Sequence, residues 1–350
     1  MSTEPSLQNT VRAYRVARGW SQQELADRAG IARASVSAIE IDRLVPSTTA
    51  ALALAAVFEC RVEDLFQLPT HGSTNPTWAW PMPTRRGRYW QAEVGGRTLL
   101  YPCEVMQLGA VEHDGVAIGD KRTPRNDAPP PTLVMACCDP AVGLLAREIA
   151  RTSGIRVLAF VRPSRQALAL LKEGLVHVAG THLGHSKRDG NAAIVRRELG
   201  AGYQMIRAAD WEEGVAVAVG HSESLRTMLA SRLRWVGREV GSGARQCLDE
   251  LLEDRPAPNR LARDHRGVAE AIRSGWADAG VCLELAAAEA NLNFVAVRRE
   301  AYDLCYAASN ESDPRIRALI AALQSKAFRT LLGDLPGYHA NSTGTLASTS

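Results

Sequence analysis

Apolar residues follow a helical spacing over the first 68 residues, with short polar breaks between the segments. Gly19 and Gly30 mark two of these breaks. Ser21, with Glu24 three residues later, has the spacing of a capping box at a helix start. The pattern predicts a domain of five short helices in residues 1–68, the third of them over about 32–39.

Residues 69–131 are rich in Pro, Gly and Trp, and their apolar residues alternate with polar ones in short runs. Gly95-Gly96 separates two such runs, which indicates a β-hairpin. A polar, proline-rich stretch closes the region at 121–131. The pattern predicts a small β-rich connector in which the aromatic side chains bury the hairpin.

From Thr132 onward, short buried-strand runs alternate with helical patterns. The runs 132–137 and 156–160 each precede a helical pattern, at 140–152 and 164–173. This alternation predicts an α/β domain with a mostly parallel sheet over 132–340. The last segment, 341–350, is small and polar and is predicted to be a disordered tail.

The amino-acid composition limits the classes of protein to which this chain could belong. The 350 residues are 46% hydrophobic and 23% charged, with a net charge of +3, as in ordinary globular proteins. We find neither a signal-peptide pattern nor an apolar stretch long enough to span a membrane, so a cytoplasmic location with no membrane partner is expected. The seven cysteines are scattered without a CxxC pair, which favours buried thiols in a reducing compartment.

Catalytic signatures are missing from the sequence. There is no P-loop, dinucleotide fingerprint, HExxH or GxSxG motif, and no cysteine and histidine set with the spacing of a structural zinc site. We therefore predict a protein that is not an enzyme, with no cofactor and no bound metal.

The first 68 residues resemble the lambda-repressor-like, XRE-type helix-turn-helix family. The resemblance is carried by Trp20 to Ala26, Ala29-Gly30-Ile31, Ser35 to Glu40, Pro46-Ser47 and Asp64-Leu65-Phe66. It implies that the third helix enters the major groove of DNA. By position, Arg33, Ala34 and Ser37 are then expected to face the bases, with Arg33 as the main reader of guanine, and Gln22 and Arg43 to contact phosphates.

The charge of this segment departs from that of a strong DNA-binding protein. Residues 1–68 contain seven Arg and no Lys against eight Asp and Glu. Because phosphate neutralisation supplies much of the affinity for DNA, one copy is expected to bind weakly. A homodimer or a higher homo-oligomer on operator DNA is therefore predicted.

Residues 132–340 resemble the periplasmic-binding-protein-like domains related to molybdate-type solute-binding proteins. The resemblance is carried by Cys137 to Pro140, Val178 to Leu183, Gly190-Asn191, Trp235 to Arg245, Ser274 to Gly280, Phe294 to Val297 and Glu300 to Leu304. It implies a two-lobed type II fold that closes on a small ligand. Cys138 stands where the family more often has serine or another small polar residue. The expected ligand-binding residues are Cys138, Asp139, Ser164, Thr181, His182, Asn191, Ser242, Gly243, Arg245 and Tyr302.

The chemistry of the ligand is left open between two classes. Gly241-Ser242-Gly243 before a predicted helix offers free N–H groups, a hydroxyl and the nearby Arg245, which suits an anion. With the resemblance, this implies an oxyanion such as molybdate or tungstate, or a molybdenum-cofactor-related compound. The alternative is a metal or thiol-redox sensor that uses Cys137, Cys138 and nearby histidines.

These patterns combine into one prediction. The fold class is multidomain α plus α/β: a five-helix DNA-binding domain, a β-rich connector and a two-lobed ligand-sensing domain. The predicted function is a ligand-responsive transcription regulator whose partners are operator DNA and a small-molecule effector.

Overall fold

The computed structural model describes residues 8–41, 43–67, 76–106, 108–125, 129–183, 190–220, 224–253 and 255–347. The chain divides into two compact units, Met1–Asn75 and Pro76–Ser350, which we call the head and the body. None of the described helices is long and apolar enough to cross a membrane.

Within the residues that the structure describes, the head is a bundle of five short helices, as predicted. Two short strands close it, because Gln8 and Asn9 pair antiparallel with Gln67 and Phe66. Its elements are β1 Gln8–Asn9, α1 Val11–Ala17, α2 Gln22–Ala29, α3 Arg33–Glu40, α4 Thr48–Phe58, α5 Val62–Leu65 and β2 Phe66–Gln67.

Local signals fix the turn between α2 and α3. Ser21 and Glu24 form the predicted capping box, with each side chain bonded to the other residue's backbone N–H. Gly30 ends α2 with φ at 64°, a left-handed conformation that is easy for glycine. Arg15 of α1 and Glu40 of α3 form a 2.6 Å ion pair, so the first and third helices are tied together.

The described residues of the body begin with the strands β3 Thr77–Trp78, β4 Arg86–Val94, β5 Arg97–Pro102, β6 Gly115–Ile118 and β7 Lys121–Pro124. These strands form a sheet of order β3-β5-β4-β6-β7, which we call the β-layer. The predicted hairpin is confirmed: Val94 pairs with Arg97 across Gly95 and Gly96, whose φ angles are 56° and 72°.

The β-layer packs on the region that follows it. The ring of Phe160 lies 4.8 Å from that of Trp80 and 5.4 Å from that of Tyr101, measured between centroids. A buried ion pair of 2.7 Å joins Asp114 of the β-layer to Arg156. The aromatic residues of the β-layer therefore bury against the α/β region as well as against their own hairpin.

The rest of the body forms two lobes. Lobe 1 contains β8 Thr132–Cys137, α6 Val142–Ser153, β9 Arg156–Val161, α7 Ser164–Lys172, β10 Val178–Thr181, α8 Asn191–Leu199, α13 Pro314–Gln324 and α14 Lys326–Gly333. Lobe 2 contains α9 Leu225–Ala230, β12 Trp235–Arg238, α10 Gly243–Leu252, β13 Leu261–Ala262, α11 His265–Arg273, β14 Ala279–Leu283 and α12 Glu284–Glu289.

Two long strands, β11 Tyr203–Val217 and β15 Asn293–Ala307, connect the lobes. They pair antiparallel with each other from Tyr203↔Ala307 to Val217↔Asn293. The sheet order is β13-β12-β14-β11-β15-β10-β8-β9, so three parallel strands flank the long pair on each side. This arrangement confirms the predicted two-lobed fold with largely parallel strands.

The prediction of a disordered tail over 341–350 is wrong for residues 341–347. β16 Tyr338–His339 and β17 Leu346–Ala347 both pair with β11. Between them, the Thr343 hydroxyl donates to the Ala208 carbonyl oxygen at 3.0 Å. Small polar residues carry little hydrophobic signal, but backbone hydrogen bonds to a strand edge do not require one.

His177 joins lobe 1 to the β-layer. Its Nδ1 accepts a hydrogen bond from the backbone N–H of Val134, and its Nε2 donates to the carbonyl oxygen of Glu93 at 3.0 Å. This pair of partners suits only a neutral imidazole with the proton on Nε2. Burial, with a smaller contribution from Arg315, lowers the pKa of His177 from 6.5 to about 4.

We expect the body to lose stability in acid through His177. Its pKa is lower in the folded chain, so the unfolded chain takes up the proton first as pH falls below about 6.5. The stabilisation contributed by His177 is complete above pH 6.5 and declines by about 3 kcal/mol as the pH falls to about 4. Unfolding of the wild type and of His177→Gln should be followed from pH 7.5 to 5. The stability advantage of the wild type should shrink, and a constant difference would contradict this assignment.

Candidate functional site

The exposed surface of α3 carries the residues predicted to face DNA bases. Arg33 and Ala34 are exposed in the first turn of the helix, and Ser37 lies one turn further on, half-buried. Val36 and Ile39 point the other way into the core of the head. The helix therefore presents the predicted reading residues outward while its apolar face holds it in the bundle.

The two residues predicted to contact phosphates differ in their surroundings. Arg43 is exposed beyond the end of α3. The side-chain amide of Gln22 donates to Glu40 at 2.9 Å, which joins the start of α2 to the end of α3. Gln22 thus helps to set the angle between these helices, and its contact with phosphate stays a prediction.

In the body, one face of the β11–β15 pair carries a row of buried polar and aromatic side chains. Trp211 pairs with Glu300 and Glu213 pairs with Arg298, while Tyr302 follows two residues after Glu300. Side chains two residues apart on a strand share a face, so these five residues lie together. All except Arg298 are less than 5% exposed.

A chain of ion pairs runs along this face. Arg298 lies 2.9 Å from Glu213 and 2.8 Å from Glu300, and Nδ1 of His182 lies 2.8 Å from the other oxygen of Glu300. Burial would lower the pKa of His182, but the nearby Cys138 sulfur and the Glu300 carboxylate raise it well above its ordinary value. Burial and the charge of Glu300 raise the pKa of Glu213 to about 7.

Each lobe adds side chains from the ends of its strands. Cys138 follows β8 and His182 follows β10 in lobe 1, while Arg238 ends β12 and His265 begins α11 in lobe 2. The rings of His182 and His265 are 5.9 Å apart between centroids. Burial, Arg238 and His182 all lower the pKa of His265, so its imidazole is neutral. We call the residues Cys138, His182, Trp211, Glu213, Arg238, His265, Arg298, Glu300 and Tyr302 the interlobe cluster.

Several polar atoms of the interlobe cluster have no hydrogen-bond partner among the described residues. They include both ring nitrogens of His265, Nε2 of His182, Nε1 of Trp211, Nη1 of Arg238 and Oε1 of Glu213. Buried polar groups in proteins are nearly always hydrogen-bonded, so this concentration makes the interlobe cluster the candidate site for a polar ligand.

The lobes touch each other beside the interlobe cluster. A Cβ atom built on Gly243 of lobe 2 would lie 2.4 Å from the His182 ring and 2.6 Å from its carbonyl oxygen. The backbone N–H of Arg165 donates to the carbonyl oxygen of Gly241 at 3.3 Å. Only glycine permits this approach, because any side chain at 243 would separate the two lobes.

An acidic residue of the β-layer bridges the outer part of this cleft. Glu104 lies 2.7 Å from Arg162 of lobe 1 and 3.5 Å from Arg263 of lobe 2. The three residues line a cavity of about 610 Å³ together with Trp80 and Glu239. The β-layer thus contacts both lobes where the cleft opens.

The structure brings together part of the predicted ligand site. Cys138, His182 and Tyr302 belong to the interlobe cluster, Gly243 touches it, and Thr181 and Ser164 are buried next to His182. The side chains of the other four predicted residues form hydrogen bonds with neighbouring protein groups. Asp139 is bonded to Tyr338, Asn191 to Asp303, Ser242 to the backbone of its own helix and Arg245 to Asp249.

Sequence analysis did not predict six members of the interlobe cluster as site residues: Trp211, Glu213, Arg238, His265, Arg298 and Glu300. Arg238 is the last residue of β12 and His265 follows β13 in a parallel part of the sheet, where ligands commonly bind, so their positions offered a signal. Glu213 and Arg298 lie 85 residues apart, and a pairing over that separation leaves no local pattern.

Comparison with known families agrees with both units. Residues 146–324, just over half of the chain, match the model of the PBP superfamily domain, and residues 11–65 match a helix-turn-helix model. The chain therefore belongs to the PBP superfamily and carries a helix-turn-helix domain of the XRE type at its N-terminus.

Curated relatives are similar to parts of this chain. YvgK, an uncharacterized protein of Bacillus subtilis (strain 168), is 27% identical over 226 residues, which cover 61% of this chain and 73% of that protein. YgzD, an uncharacterized HTH-type transcriptional regulator of the same organism, is 37% identical over 62 residues, which cover 18% of this chain and 94% of that protein.

Two solved structures with a weak likeness to this chain are named for different ligands. A phosphate ABC transporter substrate-binding protein from Clostridium perfringens, solved with phosphate, has a TM-score of 0.48 at 10% identity and covers 59% of this chain and 99% of its own. A tungstate ABC transporter structure from Geobacter sulfurreducens has a TM-score of 0.44 at 13% identity, covering 58% and 98%. Likeness at this level does not select a ligand.

We expect Gly243→Ala to keep the lobes apart without unfolding the body. The added methyl group would overlap the His182 ring across the cleft, and the helical backbone itself tolerates alanine. Hydrogen exchange in the full chain should become faster around 181–183 and 243–247.

Gly143→Ala is the matched control, because Gly143 also lies in the first turn of a helix and a Cβ there meets nothing within 4 Å. This control should leave exchange at the cleft unchanged. Equal exchange in the wild type and in Gly243→Ala would show that the contact with His182 does not limit closure.

Proposed function

We propose that this chain is a ligand-responsive DNA-binding regulator. In this proposal the head binds operator DNA and the body closes on a small effector at the interlobe cluster. The observation that carries the proposal is the set of buried, unpartnered polar atoms between two lobes, in a chain that also has a helix-turn-helix domain. The proposal is for a binding protein rather than an enzyme.

Effector binding would be coupled to closure because the interlobe cluster takes side chains from both lobes. His182 belongs to lobe 1 and His265 to lobe 2, while Glu300 lies on a strand shared by both. A ligand that contacts all three binds the closed arrangement better than an open one and therefore shifts the population toward closure.

The oxyanion that the resemblance implies has limited support in this arrangement. Nη1 of Arg238 and Nε1 of Trp211 are N–H groups without a partner among the described residues, and they suit an anion. Ser242 and Arg245, which the sequence placed in an anion cradle, are bonded to their own helix and to Asp249. Molybdate, tungstate and molybdenum-cofactor-related compounds are thus one effector class to test.

A specific observation favours the alternative of a metal effector. Cys138, His182 and His265 are buried and lie close enough to share one ion. Cys137 is not in this group of possible ligands, and burial raises its pKa well above the ordinary value, so it does not support a dithiol site.

On the DNA side, we propose that Arg33 reads bases and Arg43 contacts phosphate, in a homodimer. Both side chains are exposed, and they lie at opposite ends of α3. The head has few positive charges for binding phosphates, so two heads on two half-sites supply the affinity that one lacks.

We expect Arg33→Ala and Arg43→Ala to weaken DNA binding in different ways. Operator fragments would be selected from genomic DNA with the full chain, and affinity measured at several salt concentrations. Arg33→Ala should cost about 1–3 kcal/mol on the operator and little on unrelated DNA, because it removes a base contact.

Arg43→Ala should weaken binding to both DNAs alike and lower the salt slope by about one unit, because it removes a phosphate contact. Arg61→Ala, which removes the same charge before α5, is the control. Unchanged operator binding in Arg33→Ala would contradict the proposed reading face, and absence of any DNA binding by the wild type would contradict the function.

A further inference from the structure

We propose that the effector is a soft or borderline transition-metal ion, such as Zn²⁺ or Cu⁺, held by Cys138, His182 and His265. This inference rests on the proposed function, since it names the class of effector that the interlobe cluster takes. Thiolate and imidazole together form a donor set that Zn²⁺ and copper prefer to Mg²⁺ or Ca²⁺.

The three side chains are placed as ligands of one ion. One donor atom from each lies within 4.8 Å of the other two. Their exposed fractions are 1% for Cys138, 1% for His182 and 0% for His265. Neither nitrogen of His265 has a hydrogen-bond partner among the described residues, which is costly for a buried imidazole unless something else binds it.

Glu300 holds the His182 ring in place. It bonds Nδ1 of the ring at 2.8 Å, so Nε2 is the ring nitrogen that would bind the ion, in place of its contact with the Cys138 sulfur. Metal-bound histidines commonly donate their other ring N–H to a carboxylate, which fixes the tautomer and strengthens the ligand.

The charges around Cys138, His182 and His265 are compatible with a bound cation. Glu239 accepts two hydrogen bonds from Arg238, at 3.0 and 3.1 Å. Arg298 is paired with Glu213, Glu250 and Glu300. Both guanidinium charges are therefore balanced within the protein. An oxyanion at His182 would instead lie close to the carboxylates of Glu213 and Glu300, which repel it.

The ion would hold the two lobes together. Cys138 and His182 belong to lobe 1, and His265 begins the first helix after β13 in lobe 2. A complete set of three ligands exists only when the lobes meet, so metal binding favours the closed arrangement. Three protein ligands also leave a tetrahedral ion one position for water or another small ligand.

The test uses the full chain after treatment with a chelator. It is titrated with Zn²⁺, with Co²⁺ as a spectroscopic probe, and with Mg²⁺ and molybdate as comparisons. We expect one equivalent of Zn²⁺ to bind and to raise the Tm of the body by about 5 °C at a hundredfold excess over Kd. Co²⁺ should give a thiolate-to-metal charge-transfer band, and Mg²⁺ should have no effect.

Variants test whether each residue binds the metal or only supports the fold. His265→Phe keeps the ring shape and removes two unpartnered nitrogens, so it should not lower the Tm of the metal-free chain but should abolish the shift with Zn²⁺. Cys138→Ser should lose the cobalt band. Cys103→Ser, which changes a half-buried thiol of the β-layer region, should retain both signals.

The outcomes distinguish this inference from the proposed function. Retention of the cobalt band in Cys138→Ser, or of the Zn²⁺ shift in His265→Phe, would overturn the metal site. A Tm shift with molybdate and none with Zn²⁺ would also overturn it, while leaving a ligand-responsive regulator intact. Metal binding that leaves operator affinity unchanged would support the site and overturn its role as the effector site.

Discussion

The pairing of β11 with β15 is the constraint on which the rest of the body depends. Each strand has fifteen residues and belongs to both lobes, and the two stay hydrogen-bonded along their length with shifts of register at Arg207/Ala209 and Glu213/Gly214. Because side chains alternate along a strand, this register puts Trp211, Glu213, Arg298 and Glu300 on one face, at the point where the lobes meet. The cleft residues of both lobes pack against this face, which carries charged side chains.

The charged side chains buried where the lobes meet determine which ligands the cleft can bind. Arg298 is paired with Glu213 and Glu300, and Arg238 with Glu239, although Nη1 of Arg238 and Oε1 of Glu213 have no hydrogen-bond partner among the described residues. His265, Nε2 of His182 and Nε1 of Trp211 are left without partners among the described residues. An unsatisfied buried polar group costs about 1–3 kcal/mol, so a ligand that supplied the missing contacts would further stabilise the closed arrangement. The proposed sensitivity to a ligand would follow from the same burial that makes the interior polar.

Local signals in the sequence predicted the elements better than they predicted the site. The capping box at Ser21, the Gly95-Gly96 hairpin and the strand at 132–137 each depend on neighbours in sequence, and the structure has all three. Ser242 shows the limit of such signals: its hydroxyl does lie at a helix N-terminus, but it caps that helix by accepting from Arg245. The pairing of Glu213 with Arg298, the approach of His265 to His182 and the pairing of Leu346–Ala347 with β11 depend on contacts between distant segments, which one sequence does not encode in a visible pattern.

The central claim is that one ligand at the interlobe cluster changes the affinity of the head for DNA. Linkage makes this directly measurable, because a ligand that changes operator affinity by some factor must have its own affinity changed by the same factor when operator is bound. Calorimetric titration of Zn²⁺ into the full chain, free and saturated with operator, should give two Kd values whose ratio equals the ratio of operator affinities with and without Zn²⁺. Identical Kd values for Zn²⁺ in the two titrations would contradict the account.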